Sequence, residues 1–157
     1  MRQSTPTISP GAISFHIGAV AILVPYTIDR TRSPEPNVAW TIARSMAKAI
    51  VKHPMASGVR HYPVQRNLYS VDGTDQDWHL HAHGTQAYIV EGSLRATPTK
   101  RRADAIKAIR GSWLGLGERL LDGPTVVGRV LDAKGRPVPA EVHLAEVALR
   151  EGESWRA

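Results

Sequence analysis

The sequence predicts an α/β fold: a partial mixed sheet with flanking helices, followed by a short β-hairpin or an incomplete β-sandwich. Three observations lead to this prediction. Residues 11–26 form the most apolar stretch of the chain, as expected of strands that are covered on both faces. Apolar side chains recur every four residues between Val38 and Ile50, which indicates an amphipathic helix. Two runs of strand-forming residues then flank a Gly-containing turn at 132–135.

Composition limits the classes of protein to consider. A length of 157 residues suits about one domain, and 42% hydrophobic residues can form a core. The 20 Lys and Arg exceed the 14 Asp and Glu, for a net charge of +6. The densest basic cluster, residues 100–110, contains Asp104 and no aromatic side chain, so it predicts a solvated helix face and no nucleic-acid partner. There is no cysteine, so any metal must be held by histidines and carboxylates.

The N-terminal region allows two interpretations. Residues 1–10 are polar and are expected to be disordered. Residues 11–26 have the length of a signal-peptide apolar region and follow Arg2, but His16 interrupts them and no small-residue cleavage site follows. One or two buried strands are therefore preferred. The stretch is also shorter than the roughly 20 apolar residues of a transmembrane helix, so no membrane span is expected.

Two helices and a strand are predicted beyond this region. Pro36 can begin the first helix, which ends before Pro54 and is followed by a loop, with room for a short strand, over residues 55–67. Residues 87–90 are strand formers that end at Glu91. Thr97 begins a further helix that continues through several glycines. The apolar stripe of the first helix is Val38, Ile42, Met46 and Ile50, and that of the last is Ile106, Ile109, Trp113, Leu116 and Leu120.

Glu91 is the first candidate for a functional residue. It stands at the end of the predicted strand 87–91, after a loop that contains Tyr69 and a turn at residues 72–75. A strand holds a side chain more rigidly than a loop does, which suits a general base.

The spacing of this segment resembles that of the zinc metallocarboxypeptidase family, which includes carboxypeptidases A, B and E. Tyr69 is followed nine residues later by Trp78, and Trp78 thirteen residues later by Glu91. Upstream, residues 13–19, with His16, and then residues 24–26 are similar to the family's strand that ends in its third zinc-ligand histidine and to its Tyr-Pro-Tyr segment. The chain departs from that pattern at residue 24, where valine replaces the first tyrosine, and at residues 17–18, where Ile-Gly replaces a Ser-Tyr or similar pair.

The resemblance implies a zinc-dependent carboxypeptidase that removes C-terminal residues from peptides or proteins. It implies that His16 is a Zn²⁺ ligand and that Glu91 is the general base for a zinc-bound water. Tyr69 would be a mobile phenol that contacts the substrate. Gln76 falls where the family has the residue that selects the substrate side chain. Family members are often secreted or periplasmic; neither localisation nor oligomeric state is predicted for this chain.

The implied zinc site is incomplete in the sequence. The family takes its first two ligands from a His-x-x-Glu motif upstream of the histidine strand, and no such motif precedes His16. The one His-x-x-Glu of the chain joins His143 to Glu146, on a predicted strand where residues three apart face opposite sides. The family's substrate-binding arginines also lie upstream. We therefore expect the chain to be inactive alone.

The composition changes after residue 122, where glycine, proline and strand-forming residues replace the helical pattern. The pattern from Gly128 to Val138 resembles the first strands of the transthyretin-like β-sandwich that follows the catalytic domain in some metallocarboxypeptidases. The predicted organisation is a disordered N-terminus at 1–10, a partial catalytic domain at 11–121 and an incomplete transthyretin-like domain at 122–157.

An alternative function rests on His79, His81 and His83. In a strand these alternating residues would share one face and could bind a divalent metal, giving a non-catalytic metal-binding or partner-binding module. Ala82 and Gly84 do not favour a strand, and the resemblance places the segment in a surface turn or helix.

Overall fold

Helices and strands alternate along most of the chain. The computed structural model describes residues 9–31, 33, 35–56, 60–123, 128–142, 145 and 155–156. In chain order the elements are β1 (Gly11–His16), β2 (Ala21–Leu23), α1 (Val38–Ala49), β3 (Val64–Gln65), α2 (Asp75–His83), β4 (Gln86–Glu91), α3 (Thr99–Ile109), α4 (Gly111–Leu121), β5 (Glu141–Val142) and β6 (Trp155–Arg156).

Four strands form one mixed sheet in the order β1-β4-β2-β3. β1 pairs with β4 in parallel, β2 pairs with β4 antiparallel, and β2 pairs with β3 in parallel. The predicted α/β class with a mixed sheet is therefore confirmed. The order also places the strand that ends in Glu91 between the two strands formed by residues 11–23.

The sheet has apolar side chains on both faces because successive residues of a strand point to opposite sides. On one face, Tyr88 and Val90 of β4 join the main core, which includes Met46 of α1 and Leu116 of α4. On the other face, Ile89 packs with two residues of β2. Glu91, two residues after Ile89, belongs to this second face.

The predicted pair of N-terminal strands is confirmed, but their burial differs. β2 is buried along its whole length, as expected. β1 is half-buried from Gly11 to Ser14 and exposed at Phe15 and His16. The prediction of burial is wrong for β1 because this strand lies at the edge of the sheet, where it has one neighbouring strand.

Helix α1 follows the predicted stripe except at its first residue, Val38, which is 43% exposed. Ile42 and Met46 are buried, and Ile50 is buried just after the helix. The helix begins at Val38, two residues after the predicted start at Pro36. The start is fixed by Asn37, whose side chain accepts a hydrogen bond of 2.8 Å from the backbone N–H of Trp40 and so caps the helix.

The predicted last helix is divided in two at Arg110, so its single continuous stripe is a misprediction. The second of these helices, α4, packs closely on α1. A Cβ atom at Gly111 would lie 2.1 Å from the carbonyl oxygen of Ala49, and one at Gly115 would lie 2.8 Å from the Cα atom of Met46. The two glycines therefore allow the helix backbones to approach more closely than any side chain would permit.

The C-terminal segment forms small antiparallel pairings. A turn at residues 132–135 is closed by a bridge between Leu131 and Pro137, and β5 pairs with β6. His143 and Glu146, the His-x-x-Glu pair of the sequence, lie outside the described residues. Among the residues with a described structure, no helix has the length and apolar character needed to cross a membrane.

Candidate functional site

His16 and Glu91 stand side by side at the ends of β1 and β4. They are partners in the parallel register of these strands, and the backbone N–H of Gly92 donates a 2.9 Å hydrogen bond to the carbonyl oxygen of His16. Partners in register point their side chains to the same face of a sheet. Two residues that are distant in sequence are therefore neighbours on the face opposite the main core.

A cleft of about 190 Å³ opens at this point. All four residues singled out in the sequence line it: His16, Tyr69, Gln76 and Glu91. They come from two strands, a loop and the first turn of α2. The four residues that the resemblance singles out thus share one small concave site.

The Glu91 side chain is buried, with 7% of its surface exposed. Its Oε2 atom has no hydrogen-bond partner within the described part of the chain. A Cβ atom at Gly18, where φ is +152°, would lie 3.6 Å from this oxygen. The loop after β1 thus passes close to the carboxylate, and the Oε2 atom is a buried acceptor that a ligand can approach from the cleft.

Tyr62 and His53, which the sequence analysis did not identify, bind the backbone at the end of β4. The Tyr62 hydroxyl donates a 2.6 Å hydrogen bond to the carbonyl oxygen of Glu91, and His53 Nε2 lies 3.0 Å from the carbonyl oxygen of Gly92. The two rings pack edge to face at 4.9 Å. Burial, and secondly the charge of Glu91, raise the pKa of Tyr62, so this phenol stays protonated and able to donate.

Gln76 lies deep in the cleft wall. Its side chain is 1% exposed, and neither its amide oxygen nor its amide nitrogen has a partner within the described residues. A buried amide without partners costs free energy, so the site favours a ligand or water that can both donate and accept a hydrogen bond. Tyr69, by contrast, is 72% exposed and stands at the rim.

A hydrogen-bond network fixes the wall that carries Gln76. The carboxylate of Asp77 accepts hydrogen bonds from the backbone N–H and the hydroxyl of Thr27, and this hydroxyl also lies 3.1 Å from that of Thr74. The amide of Asn67 donates to the Thr27 carbonyl at 2.6 Å. The segment after β2, the loop before α2 and α2 itself are thereby joined around the cleft.

The histidines at 79, 81 and 83 lie on helix α2 and not on a strand. His79 and His83 share one side, with ring centroids 6.2 Å apart, whereas His81 packs edge to face against Tyr26 at 6.5 Å. The face with three imidazoles that a strand would form is absent. The helix is favoured locally by Asp75 and Asp77 in its first turn and by the left-handed C-cap Gly84.

The donor set of the cleft fits one zinc ligand and one base, but not a complete zinc site. His16 supplies an imidazole and Glu91 a buried carboxylate oxygen without a partner in the described residues. A catalytic zinc normally takes three protein ligands. Among the described residues, no group of three or more His, Cys, Asp and Glu is close enough to hold a metal.

Comparison with known proteins adds no assignment: no protein-family model matches the chain, and no curated protein matches it at a significant level.

Proposed function

We propose that this chain carries part of the active site of a zinc-dependent peptide hydrolase of the metallocarboxypeptidase type. The observation that supports it best is the meeting of His16 and Glu91, in register on adjacent strands, in one cleft with Tyr69 and Gln76. These four positions are the ones that the resemblance to metallocarboxypeptidases singles out in the sequence, and all four line this cleft.

Glu91 is proposed as the general base. A base must reach the attacking water with a free lone pair, and the buried Oε2 atom has one within the described structure. The hydrogen bond from Tyr62 to the Glu91 backbone and the central position of β4 hold the carboxylate in place.

His16 is proposed as one zinc ligand. Bound zinc would supply a Lewis acid and lower the pKa of water, which is the chemistry that peptide hydrolysis needs beside a carboxylate base. β1 is an edge strand of the described sheet. Residues that complete the ligand set would therefore approach from the open side of β1. With one imidazole in the cleft, we expect weak zinc binding and no hydrolysis by this chain alone.

Tyr69 and Gln76 are proposed to contact the peptide. The phenol of Tyr69 is exposed at the rim of the cleft, which supports a contact with an entering substrate. The buried amide of Gln76 offers one donor and one acceptor group to a substrate side chain.

The activity test combines the purified chain with the upstream half of a zinc carboxypeptidase domain, which carries a His-x-x-Glu motif, and follows release of C-terminal residues by mass spectrometry. We expect no release by the chain alone. Release by the combination should fall roughly 10²- to 10⁴-fold in Glu91→Gln. The exposed Glu118→Gln variant is the matched control and should keep full activity.

Two outcomes would contradict this assignment. Release that is unchanged in Glu91→Gln would remove Glu91 as the base. Release by the chain alone that Glu91→Gln abolishes would show instead that the site is complete.

A separate test addresses His16 without any need for activity. Co²⁺ added to the His79→Ala/His83→Ala variant should broaden the NMR signals of His16 and Glu91, and a further His16→Ala substitution should remove the broadening at Glu91. Equal broadening in the two proteins would exclude His16 as a ligand.

A further inference from the structure

Trp78, His79 and His83 form an aromatic cluster on the outer side of helix α2. The Trp78 ring lies 4.9 Å from the His79 ring and 4.6 Å from the His83 ring, between centroids, in edge-to-face contacts. Trp78 is 57% exposed, and both imidazoles are half-buried. The candidate cleft contains none of these three residues.

The two imidazoles have the spacing of a metal chelate. Residues four apart on a helix lie one above the other on the same face, and helical histidine pairs at this spacing bind zinc in known metalloenzymes. The ring centroids of His79 and His83 are 6.2 Å apart, so small side-chain rotations would bring one nitrogen of each ring to a shared ion. Asp75, one turn earlier, is engaged with the Ser14 hydroxyl at 2.7 Å, which leaves a site of two protein ligands.

We propose that His79 and His83 form a two-imidazole surface site for a late first-row divalent ion of the Cu²⁺, Ni²⁺ and Zn²⁺ class. Imidazole suits these ions, and affinity should follow the order Cu²⁺ above Ni²⁺ and Zn²⁺. Water completes the coordination. The Trp78 ring contacts both imidazoles and so lies near an ion bound by them. This site does not depend on the function proposed for the cleft.

The helix also provides a matched control. His81 has the same side chain and the same helix but lies two residues away, against Tyr26. Substitution of His81 should therefore leave the affinity for an ion bridging His79 and His83 unchanged.

The test uses Cu²⁺ as the probe and the quenching of tryptophan fluorescence as the readout. Wild type and His81→Ala should show the same saturable quenching, with one ion bound per chain by calorimetry. His79→Ala and His83→Ala should each bind roughly tenfold or more weakly, because a single imidazole loses the gain from two linked ligands. Trp78→Phe should remove most of the quenching and leave the calorimetric affinity unchanged.

Two further readouts guard against misfolded variants. Electron paramagnetic resonance of the wild-type Cu²⁺ complex should show two coupled imidazole nitrogens. Saturating Ni²⁺ should raise the melting temperature of wild type and His81→Ala, but not that of the folded His79→Gln/His83→Gln variant. A single coupled nitrogen, or equal weakening of binding by His81→Ala and His79→Ala, would overturn the proposal.

Discussion

Asp77 and Thr27, separated by 50 residues in sequence, are joined by three hydrogen bonds. The backbone N–H of Thr27 lies 3.1 and 2.8 Å from the two carboxylate oxygens of Asp77, and the Thr27 hydroxyl donates to the second oxygen at 2.9 Å. Both residues are buried. This contact anchors α2, and with it Gln76, to the segment that follows β2.

Asp77→Ala is expected to destabilise the fold by about 1–3 kcal/mol, because it leaves buried donors of Thr27 without an acceptor. Chemical denaturation measures the loss of unfolding free energy. Asp72→Ala, which removes an exposed carboxylate from the neighbouring loop, should change that free energy by less than about 0.5 kcal/mol. Similar effects of the two substitutions would mean that the Thr27 contact contributes no stability.

His53 should make the fold sensitive to mild acid. Burial lowers its pKa, an effect only partly offset by the hydrogen bond to the Gly92 carbonyl. Its Nδ1 atom also accepts a 3.3 Å hydrogen bond from the N–H of Met55, which the protonated ring could not do.

The unfolded chain, where the pKa of histidine is about 6.5, therefore binds this proton more readily than the folded chain. Stability from His53 is complete above about pH 6.5 and falls as the pH drops towards the lower folded-state pKa. Urea unfolding at pH 7.5 and 5.5 should show a smaller acid-induced loss for His53→Gln than for wild type. The exposed His61→Gln control should behave as wild type; an equal loss in all three proteins would refute the role of His53.

Gly115 and Gly117, both inside α4, should respond in opposite directions to alanine. Alanine favours a helix interior by up to about 1 kcal/mol over glycine. At Gly117 no atom would meet the added Cβ within 4 Å, so Gly117→Ala should stabilise the protein.

At Gly115 the Cβ would lie 2.8 and 3.1 Å from backbone atoms of Met46, so α1 and α4 must separate. Such overpacking costs typically 1–3 kcal/mol, which exceeds the helix gain. Thermal unfolding of the two variants should show a lower midpoint than wild type for Gly115→Ala and a higher one for Gly117→Ala. A higher midpoint for both would contradict the close approach of the helices.

Local patterns were sufficient where a segment's own residues determine its structure. The four-residue repeat from Val38 placed α1, and the strand formers ending at Glu91 placed β4. The division at Arg110 was not predicted, and the sequence also does not show the contact of Gly111 with the far end of α1. That contact joins two helices and leaves no trace in the spacing of either.

The candidate site shows the same limit. His16, Tyr69, Gln76 and Glu91 were singled out through the resemblance to a known family, and the structure places them in one cleft. His53 could not, because a single histidine after a helix has no distinguishing local signal. Its role beside the end of β4 arises only from its hydrogen bond to Gly92 and its ring contact with Tyr62.

The position of β4 between β1 and β2 gives the groups of the cleft very different freedom to move. Displacing the backbone of Glu91 would disrupt its pairing with both neighbouring strands at once. Displacing Tyr69, an exposed loop residue, requires little more than a change of loop conformation. The cleft therefore combines a carboxylate whose strand is paired on both sides with an exposed phenol on a loop, so we expect the phenol to be the more mobile of the two groups.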